Sequence, residues 1–150
     1  MRFQERSWRV RHAGSILLAI FILLGLSGVF SRGVLSAARA ERDGLQLSAD
    51  YERFQRRGAQ TQFALQIPKQ PEDEIWLRLG PAFQDTYDIE AIQPPPARSD
   101  TRGNGINLYF EATDADIQIT IRARPRRFGA VNVDIARYTD TLQVPVLIYP

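Results

Sequence analysis

The sequence predicts an all-β fold, an antiparallel immunoglobulin-like β-sandwich of about seven to eight strands, preceded by one N-terminal transmembrane helix. From residue 45 onward, apolar residues recur at every second position, which is the period of a strand with one buried face. Short segments rich in Gly, Pro, Asp and Asn separate these apolar runs, as they do in β-sandwiches. Before them, residues 13–31 form an uninterrupted stretch without a charged side chain.

The uncharged stretch is long enough to cross a membrane. At about 1.5 Å per helical residue it covers roughly 28 Å, close to the ~30 Å hydrocarbon core of a bilayer. A secretory signal has a shorter apolar region, of about 7–15 residues. We therefore predict a retained transmembrane helix over residues 13–35. The alternative is a cleaved signal peptide, because Ala38-Arg39-Ala40 resembles a signal-peptidase site.

The residues around this helix predict its orientation. Residues 1–12 are basic, and basic flanks favour the cytoplasmic side. We expect residues 1–12 in the cytoplasm, residues 36–43 as a juxtamembrane linker and residues 44–150 as a periplasmic domain at a bacterial inner membrane. Small residues within the helix can let a partner helix approach closely, or they can simply face lipid. These candidate helix-packing residues are Ser15, Ala19, Gly25 and Gly28.

Eight segments alternate in the way that predicts strands. In chain order they are LQLSADY, TQFALQIP, EIWLRL, DIEAIQPPP, NGINLYFEATD, ADIQITIRARP, AVNVDIA and LQVPVLIYP. PAFQDTY predicts a helical turn, since Pro suits a first helical position, and residues 93–105 predict a loop. Pro145 has no backbone N–H, so we expect the last strand to be bulged or at an edge. A closed barrel is the alternative to the sandwich.

The composition removes several classes of function. The chain has no Cys, and its single His, His12, precedes the predicted helix. The β-domain therefore has no thiolate or imidazole with which to perform catalysis. Residues 1–40 hold six basic residues and one acidic residue, whereas residues 41–150 hold 13 basic and 16 acidic residues. Because the domain is net acidic, we expect no nucleic-acid partner.

Two Arg-rich turns are candidate partner-docking sites. They lie in ERFQRRG at residues 52–58 and in RARPRRFG at residues 122–129. Arg binds carboxylates and phosphates through paired hydrogen bonds, so the turns can dock an acidic protein partner or lipid headgroups. The alternative is that they are solvated and keep strand edges from pairing between molecules. The candidate docking residues are Arg53, Arg56, Arg57, Arg122, Arg124, Arg126 and Arg127.

The carboxylate clusters predict no metal site, because neither has the ligand spacing of a calcium loop. They consist of Glu72, Asp73 and Glu74, and of Glu111, Asp114 and Asp116. The sequence also has no phosphate loop and no nucleophile elbow. A carboxylate pair for glycoside hydrolysis stays open, since its members can come from distant strands. We nevertheless expect no cofactor, no catalytic residue and no enzymatic activity.

Four parts of the chain carry a resemblance to a known group of proteins. They are residues 44–68 (GLQLSADYERFQRRGAQTQFALQIP), EIWLRL with the helical turn and IEAIQPPP, RRFGAVNVDI, and the terminal VLIYP. Together they resemble bacterial single-span proteins with a small extracytoplasmic β-domain, some of them associated with YetF-like membrane proteins. The resemblance covers nearly the whole chain, but its motifs are structural. It implies an accessory or interaction role and transfers no functional residue.

These observations favour a non-enzymatic accessory or structural subunit of an inner-membrane complex, whether respiratory, photosynthetic or transport. Its partners would be integral membrane protein subunits and membrane lipid, and self-association stays open. The alternative is a periplasmic binding module for a small ligand or an envelope polymer, released by signal peptidase. An accessory subunit should present a docking face, whereas a binding module should present a concave pocket with convergent polar groups.

Overall fold

The computed structural model describes residues 12, 14–23, 36–42, 46–69, 74–101, 105–111, 115–138 and 140–150. The chain divides into two compact units, Met1–Ser36 and Ala37–Pro150. In the first unit, residues 14–23 are helical, and their large apolar side chains are 50% to 72% exposed. Within the described ranges, no helix is both long and apolar enough to cross a membrane. Residue 13 and residues 24–35 of the predicted span lie outside those ranges.

The described part of the second unit contains eleven strands and one short helix. The strands are β1 (Ala37–Glu41), β2 (Ser48–Glu52), β3 (Phe54–Arg56), β4 (Thr61–Ile67), β5 (Glu74–Leu79), β6 (Tyr87–Gln93), β7 (Arg98–Asp100), β8 (Ile106–Glu111), β9 (Ile117–Pro125), β10 (Gly129–Arg137) and β11 (Asp140–Tyr149). The helix, Pro81–Thr86, lies between β5 and β6. A five-stranded sheet has the order β1-β2-β4-β9-β6, and a six-stranded sheet has the order β3-β11-β10-β5-β8-β7. The predicted all-β class is confirmed, and the two sheets are consistent with a sandwich.

One strand pairing departs from the antiparallel arrangement that the sequence predicts. β3 runs parallel to β11, with Phe54 opposite Leu147 and Arg56 opposite Tyr149. The other pairings among the described strands are antiparallel. Only Arg53 separates β2 from β3, so the chain passes from one sheet to the other without a reversing turn. The second sheet is therefore mixed.

Three strands lie where the sequence predicts no strand. β1 lies in the predicted linker, β3 in a predicted basic turn and β7 in the predicted loop. Each is three to five residues long and lacks alternating large apolar residues, so the pattern could not show it. As a consequence, the compact β-domain begins at Ala37 rather than at residue 44. All eight predicted strand segments and the predicted helical turn correspond to observed elements.

The core takes one face from each long strand. In β9, Ile117 and Ile119 are buried, whereas Gln118 between them is exposed. The core cluster joins such residues from both sheets, for example Leu65 of β4 and Val144 of β11. Fully burying one large aliphatic side chain contributes about 1.5–3 kcal/mol. The apolar residues at every second position thus both predict the strands and form the core that stabilises the fold.

Pro145 occupies a part of β11 that has one strand neighbour. It lies opposite Asn132 of β10, while β3 pairs only with Leu147–Tyr149 on the other side of β11. Because Pro has no N–H, it is tolerated where a second ladder hydrogen bond is not needed. The sequence predicted an edge or bulged strand here. β11 as a whole is an inner strand of its sheet, but no described strand flanks Pro145 on this second side.

The helix Pro81–Thr86 begins at a close approach between two backbones. Gly80 N–H donates to the carbonyl oxygen of Asp134 at 2.8 Å. A Cβ atom at position 80 would lie 2.9 Å from the Asp134 Cβ, so glycine is needed for this contact. Pro81 then fits the first helical position, where its missing N–H has no helical partner to lose.

Candidate interaction surface

The two Arg-rich turns lie side by side at one end of the β-domain. Gly58 N–H donates to the Pro125 carbonyl at 2.9 Å, which joins the turn after β3 to the end of β9. Arg57 N–H donates to the Tyr149 carbonyl at 2.8 Å, at the end of β11. The sequence predicted each turn separately, and the structure brings them together. We call this surface the basic end and define it by Arg53, Arg56, Arg57, Arg126, Arg127 and Phe128.

Two of the candidate arginines are paired with the neighbouring edge strand. Arg124 Nη2 lies 2.6 Å from Glu90 Oε1, and Arg126 Nη1 lies 3.4 Å from Asp88 Oδ1. Both carboxylates belong to β6, which pairs with β9 so that Asp88 faces Arg124 across the ladder. Arg126 Nη2 also donates to the Gln84 carbonyl at 2.6 Å. For these two residues the structure favours a role within the domain, at the protected edge of its first sheet.

The remaining arginines of the basic end stay available to solvent. Arg53, Arg56, Arg57 and Arg127 are exposed, and none forms an ion pair with a carboxylate in the described part of the chain. Arg122 is half-buried within β9, three residues before this strand ends at Pro125. The basic end therefore keeps four guanidinium groups whose charge no described carboxylate neutralises.

Phe128 adds an exposed apolar side chain to the basic end. It is 64% exposed and directly follows Arg127. The next residue, Gly129, has a φ of +123°, a conformation that side-chain-bearing residues rarely adopt. The sequence analysis did not single out Phe128. The sequence RARPRRFG nevertheless shows an aromatic residue between Arg and Gly in a turn. This residue falls outside the period-two pattern of the core, which indicates that its side chain is exposed.

The chain enters the β-domain at its basic end. Ala37, the first residue of β1, lies opposite Glu52, the last residue of β2, and Arg53 follows directly. At the other end of β1, Glu41 lies opposite Ser48. Strand β1 therefore starts beside the basic residues and runs away from them.

Two clefts open at the opposite end of the strands, where β9 begins. The first, of about 420 Å³, includes Arg39 and Ser48, and the second, of about 580 Å³, includes Phe110 and the prolines after β6. Arg39 Nη2 donates to Ser48 Oγ at 3.0 Å, and Arg39 Nε lies 3.4 Å from Glu41 Oε2. The cation of the first cleft is thus already engaged by its own neighbours. The residues common to both clefts are Asp116, Ile117 and Gln118.

The outer face of the second sheet carries a row of aromatic residues. Trp76 of β5 lies opposite Tyr109 of β8, which lies opposite Arg98 of β7. The Arg98 guanidinium stacks over the Tyr109 ring at 4.0 Å, and Tyr138 meets Trp76 edge-on at a centroid distance of 6.3 Å. Because Trp76 and Tyr109 are half-buried, the row packs along the sheet and leaves limited ring surface free.

The carboxylates that the structure describes do not gather into a metal site. Among the residues it covers, no group of three or more His, Cys, Asp or Glu side chains lies close enough to hold an ion. Glu74 instead pairs with Arg98 at 3.5 Å, and Asp116 accepts a hydrogen bond from Lys69 N–H at 2.9 Å. Of the other members of the two carboxylate clusters, Glu111 is exposed. The remaining three lie outside the described residues; they are Glu72, Asp73 and Asp114.

The structure groups most predicted docking residues and describes only half of the predicted helix-packing residues. Ser15 and Ala19 lie in the helical stretch at residues 14–23, and both are exposed. Gly25 and Gly28 lie outside the described residues. No protein-family model and no curated protein matches the chain, so the functional proposal is built on the surfaces described above.

Proposed function

We propose that this protein is a non-enzymatic accessory subunit, anchored in a bacterial inner membrane by a single helix over residues 13–35. Its N-terminus lies in the cytoplasm, and its β-domain, of immunoglobulin-like type, docks in the periplasm on integral membrane subunits of a larger complex. Respiratory, photosynthetic and transport complexes fit this proposal equally. The resemblance to single-span proteins associated with YetF-like membrane proteins agrees with such a role.

The helical stretch at residues 14–23 carries the proposal. A helix that is apolar on all sides is stable when it is buried in protein or spans a membrane. Here the large apolar residues occupy nearly every position and stay at least half exposed, which is costly in water. The stretch therefore supports an environment of lipid or partner helices. These residues are Ile16, Leu17, Leu18, Ile20, Phe21, Ile22 and Leu23.

The position of strand β1 supports a retained anchor over a cleaved signal. The sequence that resembles a peptidase site, Ala38-Arg39-Ala40, lies within β1 and pairs with residues 49–51 of β2. Ala38 and Ala40 also pack partly buried against the core. Cleavage after Ala40 would remove nearly all of β1 and leave the edge of β2 unpaired. The sheet is complete only when the chain stays uncut.

Purification of the tagged protein in mild detergent, followed by mass spectrometry, tests the proposal. We expect an intact peptide from residues 1–12 and integral membrane proteins recovered in fixed stoichiometry. Replacing Gly25 and Gly28 with Leu should lower the recovery of those partners, because bulkier side chains hold helices apart. Val29→Leu, in the same predicted span, is the matched control and should leave recovery unchanged. A chain that starts near Glu41 and purifies alone would contradict the proposal.

The clefts at the start of β9 favour a second candidate, a periplasmic binding module for a small ligand or an envelope polymer. A volume of about 420 Å³ is within the range of small-molecule sites. Release by signal peptidase after Ala40 would, however, remove Arg39, which is one of the residues that line this cleft. The same purification separates the candidates, since a binding module would appear as a shortened chain without stoichiometric membrane partners.

A further inference from the structure

We infer that the basic end of the β-domain binds the anionic phospholipid headgroups of the bilayer that holds the anchor. The inference deepens the proposed function and rests on its membrane anchor. The phosphate-binding residues are the four arginines without a described ion pair, and Phe128 enters the interface beside them. The surface thereby fixes which end of the domain faces the membrane.

The path of the chain tethers the β-domain at its basic end. The proposed span ends at residue 35, and β1 begins at Ala37, so a single residue separates the two in sequence. Ala37 lies opposite Glu52 of β2, and Arg53 directly follows Glu52 in the chain. Whatever angle the domain adopts, the point at which it is tethered belongs to its basic end. The clefts at the start of β9 lie at the far end of the strands.

Positive charge that no described carboxylate neutralises remains at this end. Arg124 and Arg126 are occupied by Glu90 and Asp88, whereas the four other arginines have no described acidic partner. They also come from separate parts of the fold: the connection between β2 and β3, the end of β3 with the residue after it, and the connection between β9 and β10. Residues 41–150 hold more acidic than basic residues, so this concentration of positive charge is local. Those four residues are Arg53, Arg56, Arg57 and Arg127.

Phe128 places an exposed apolar side chain beside these arginines. Its side chain is 64% exposed in a turn whose other members include Arg126 and Arg127. Apolar side chains next to basic ones allow a surface to insert into the boundary between headgroups and acyl chains while Arg contacts phosphate. Phe128 therefore suits binding to a bilayer, in which an anionic headgroup layer covers an apolar interior.

The tether favours lipid over an acidic protein as the occupant. Because the proposed anchor keeps the β-domain next to the bilayer, the local concentration of phosphates around Ala37 is high. Individually weak contacts are then sufficient for binding. A headgroup layer also presents negative charge over a continuous area, which suits cations that come from three separate parts of the fold. Each basic residue near an anionic bilayer strengthens binding about fivefold. Loss of two such residues should therefore weaken docking on the order of 20-fold.

The absence of Cys from the chain allows a direct test. The full chain would be given a single nitroxide at Ala59→Cys, in the turn at the basic end, or at Gln118→Cys, at the far end. Both positions are exposed. Each labelled protein would be placed in nanodiscs that contain a trace of nickel-chelating lipid, and nickel-induced relaxation of the nitroxide would report its distance from the headgroups. Flotation of the discs would show whether the chain is integrated.

We expect stronger relaxation at position 59 than at position 118 in discs of mixed phosphatidylcholine and phosphatidylglycerol. The effect at position 59 should fall in pure phosphatidylcholine and at high salt, which screens exposed charges. It should also fall in R57S/R127S. The charge-matched control is R42S/R98S, which removes two arginines outside the basic end and should behave as the parent chain does.

Three results would overturn the inference while leaving the proposed anchor in place. One is equal or stronger relaxation at position 118, and another is relaxation at position 59 that is independent of anionic lipid and of Arg57 and Arg127. A third is that R57S/R127S leaves relaxation unchanged but loses co-purifying proteins, which would assign the surface to an acidic protein partner. If the parent chain does not float with the discs at all, the proposed anchor is wrong, and the inference falls with it.

Discussion

Tyr87 links the two sheets through its buried side chain. It opens β6 in the first sheet, and its hydroxyl donates to Gln55 Oε1 of β3, in the second sheet, at 2.6 Å. Gln55 Nε2 in turn donates to the Glu52 carbonyl at 2.8 Å. The Tyr87 ring packs against Phe83 and Phe63 at centroid distances of 4.9 Å and 5.3 Å. Burial raises the pKa of Tyr87 far above its ordinary value.

We predict that Tyr87→Phe lowers the free energy of unfolding by about 1–3 kcal/mol at neutral pH, because the buried Gln55 carbonyl loses its donor. The raised pKa adds a pH dependence. Above about pH 10 the unfolded chain ionises this tyrosine, whereas the folded chain holds it protonated, so the parent loses stability as pH rises. The variant lacks this loss. The difference between the two proteins should therefore shrink at alkaline pH.

Urea unfolding at neutral pH and through the alkaline range would measure both effects. Tyr138→Phe is the matched control, since Tyr138 is 47% exposed and should change stability little in either range. An equal difference between the parent and Tyr87→Phe at all pH values would show that Tyr87 does not titrate differently in the folded and unfolded states.

For individual residues, the sequence predicts burial better than it predicts contacts between side chains of different strands. The period of two in TQFALQIP places Phe63 on the buried face, and Phe63 is fully buried. The bond between Tyr87 and Gln55 had no signal, because the two residues are 32 positions apart and Gln55 lay in a predicted basic turn. Contacts between two sheets depend on how the sheets pack, which periodicity along one strand does not contain.

Strand length decides how much of the fold the sequence could predict at the scale of elements. β9 and β10 have nine residues each, enough for several alternations, and their segments were predicted. β1 alternates Ala with charged residues, β3 spans three residues, and β7 contains no large apolar residue. Such short strands form because a neighbour offers hydrogen-bonding groups, as β2 does for β1.

Strand β1 leads to a prediction about where the chain can be cut. A chain that begins at residue 41 should unfold more easily than a chain that begins at residue 37, by about 1–3 kcal/mol. The shorter chain loses the contacts of Ala38 and Ala40 with the core and the hydrogen bond from Arg39 to Ser48. Denaturant unfolding of the two truncated chains measures the difference. Equal stability would remove the structural argument against cleavage after Ala40.

At the scale of the whole β-domain, the two ends of the strands differ in chemistry. The end at which β1 starts carries exposed arginines and Phe128, and the end at which β9 starts carries the two clefts. The Arg-rich turns were visible in the sequence as two separate runs. That they form one surface follows from the parallel pairing of β3 with β11 and from the bond between Gly58 and Pro125, which no local pattern encodes.

The topology proposed for this protein is an uncleaved chain with its N-terminus in the cytoplasm and its β-domain in the periplasm. Single cysteines at Ser7 and Gln118, tested with a membrane-impermeant maleimide on cells with a permeabilised outer membrane, examine it most directly, because the parent chain has no Cys. We predict labelling at position 118, none at position 7 until the inner membrane is broken, and a full-length chain that stays with the membranes in alkaline carbonate. Labelling at position 7 but not at position 118, or a shortened chain released into the soluble fraction, would contradict the account.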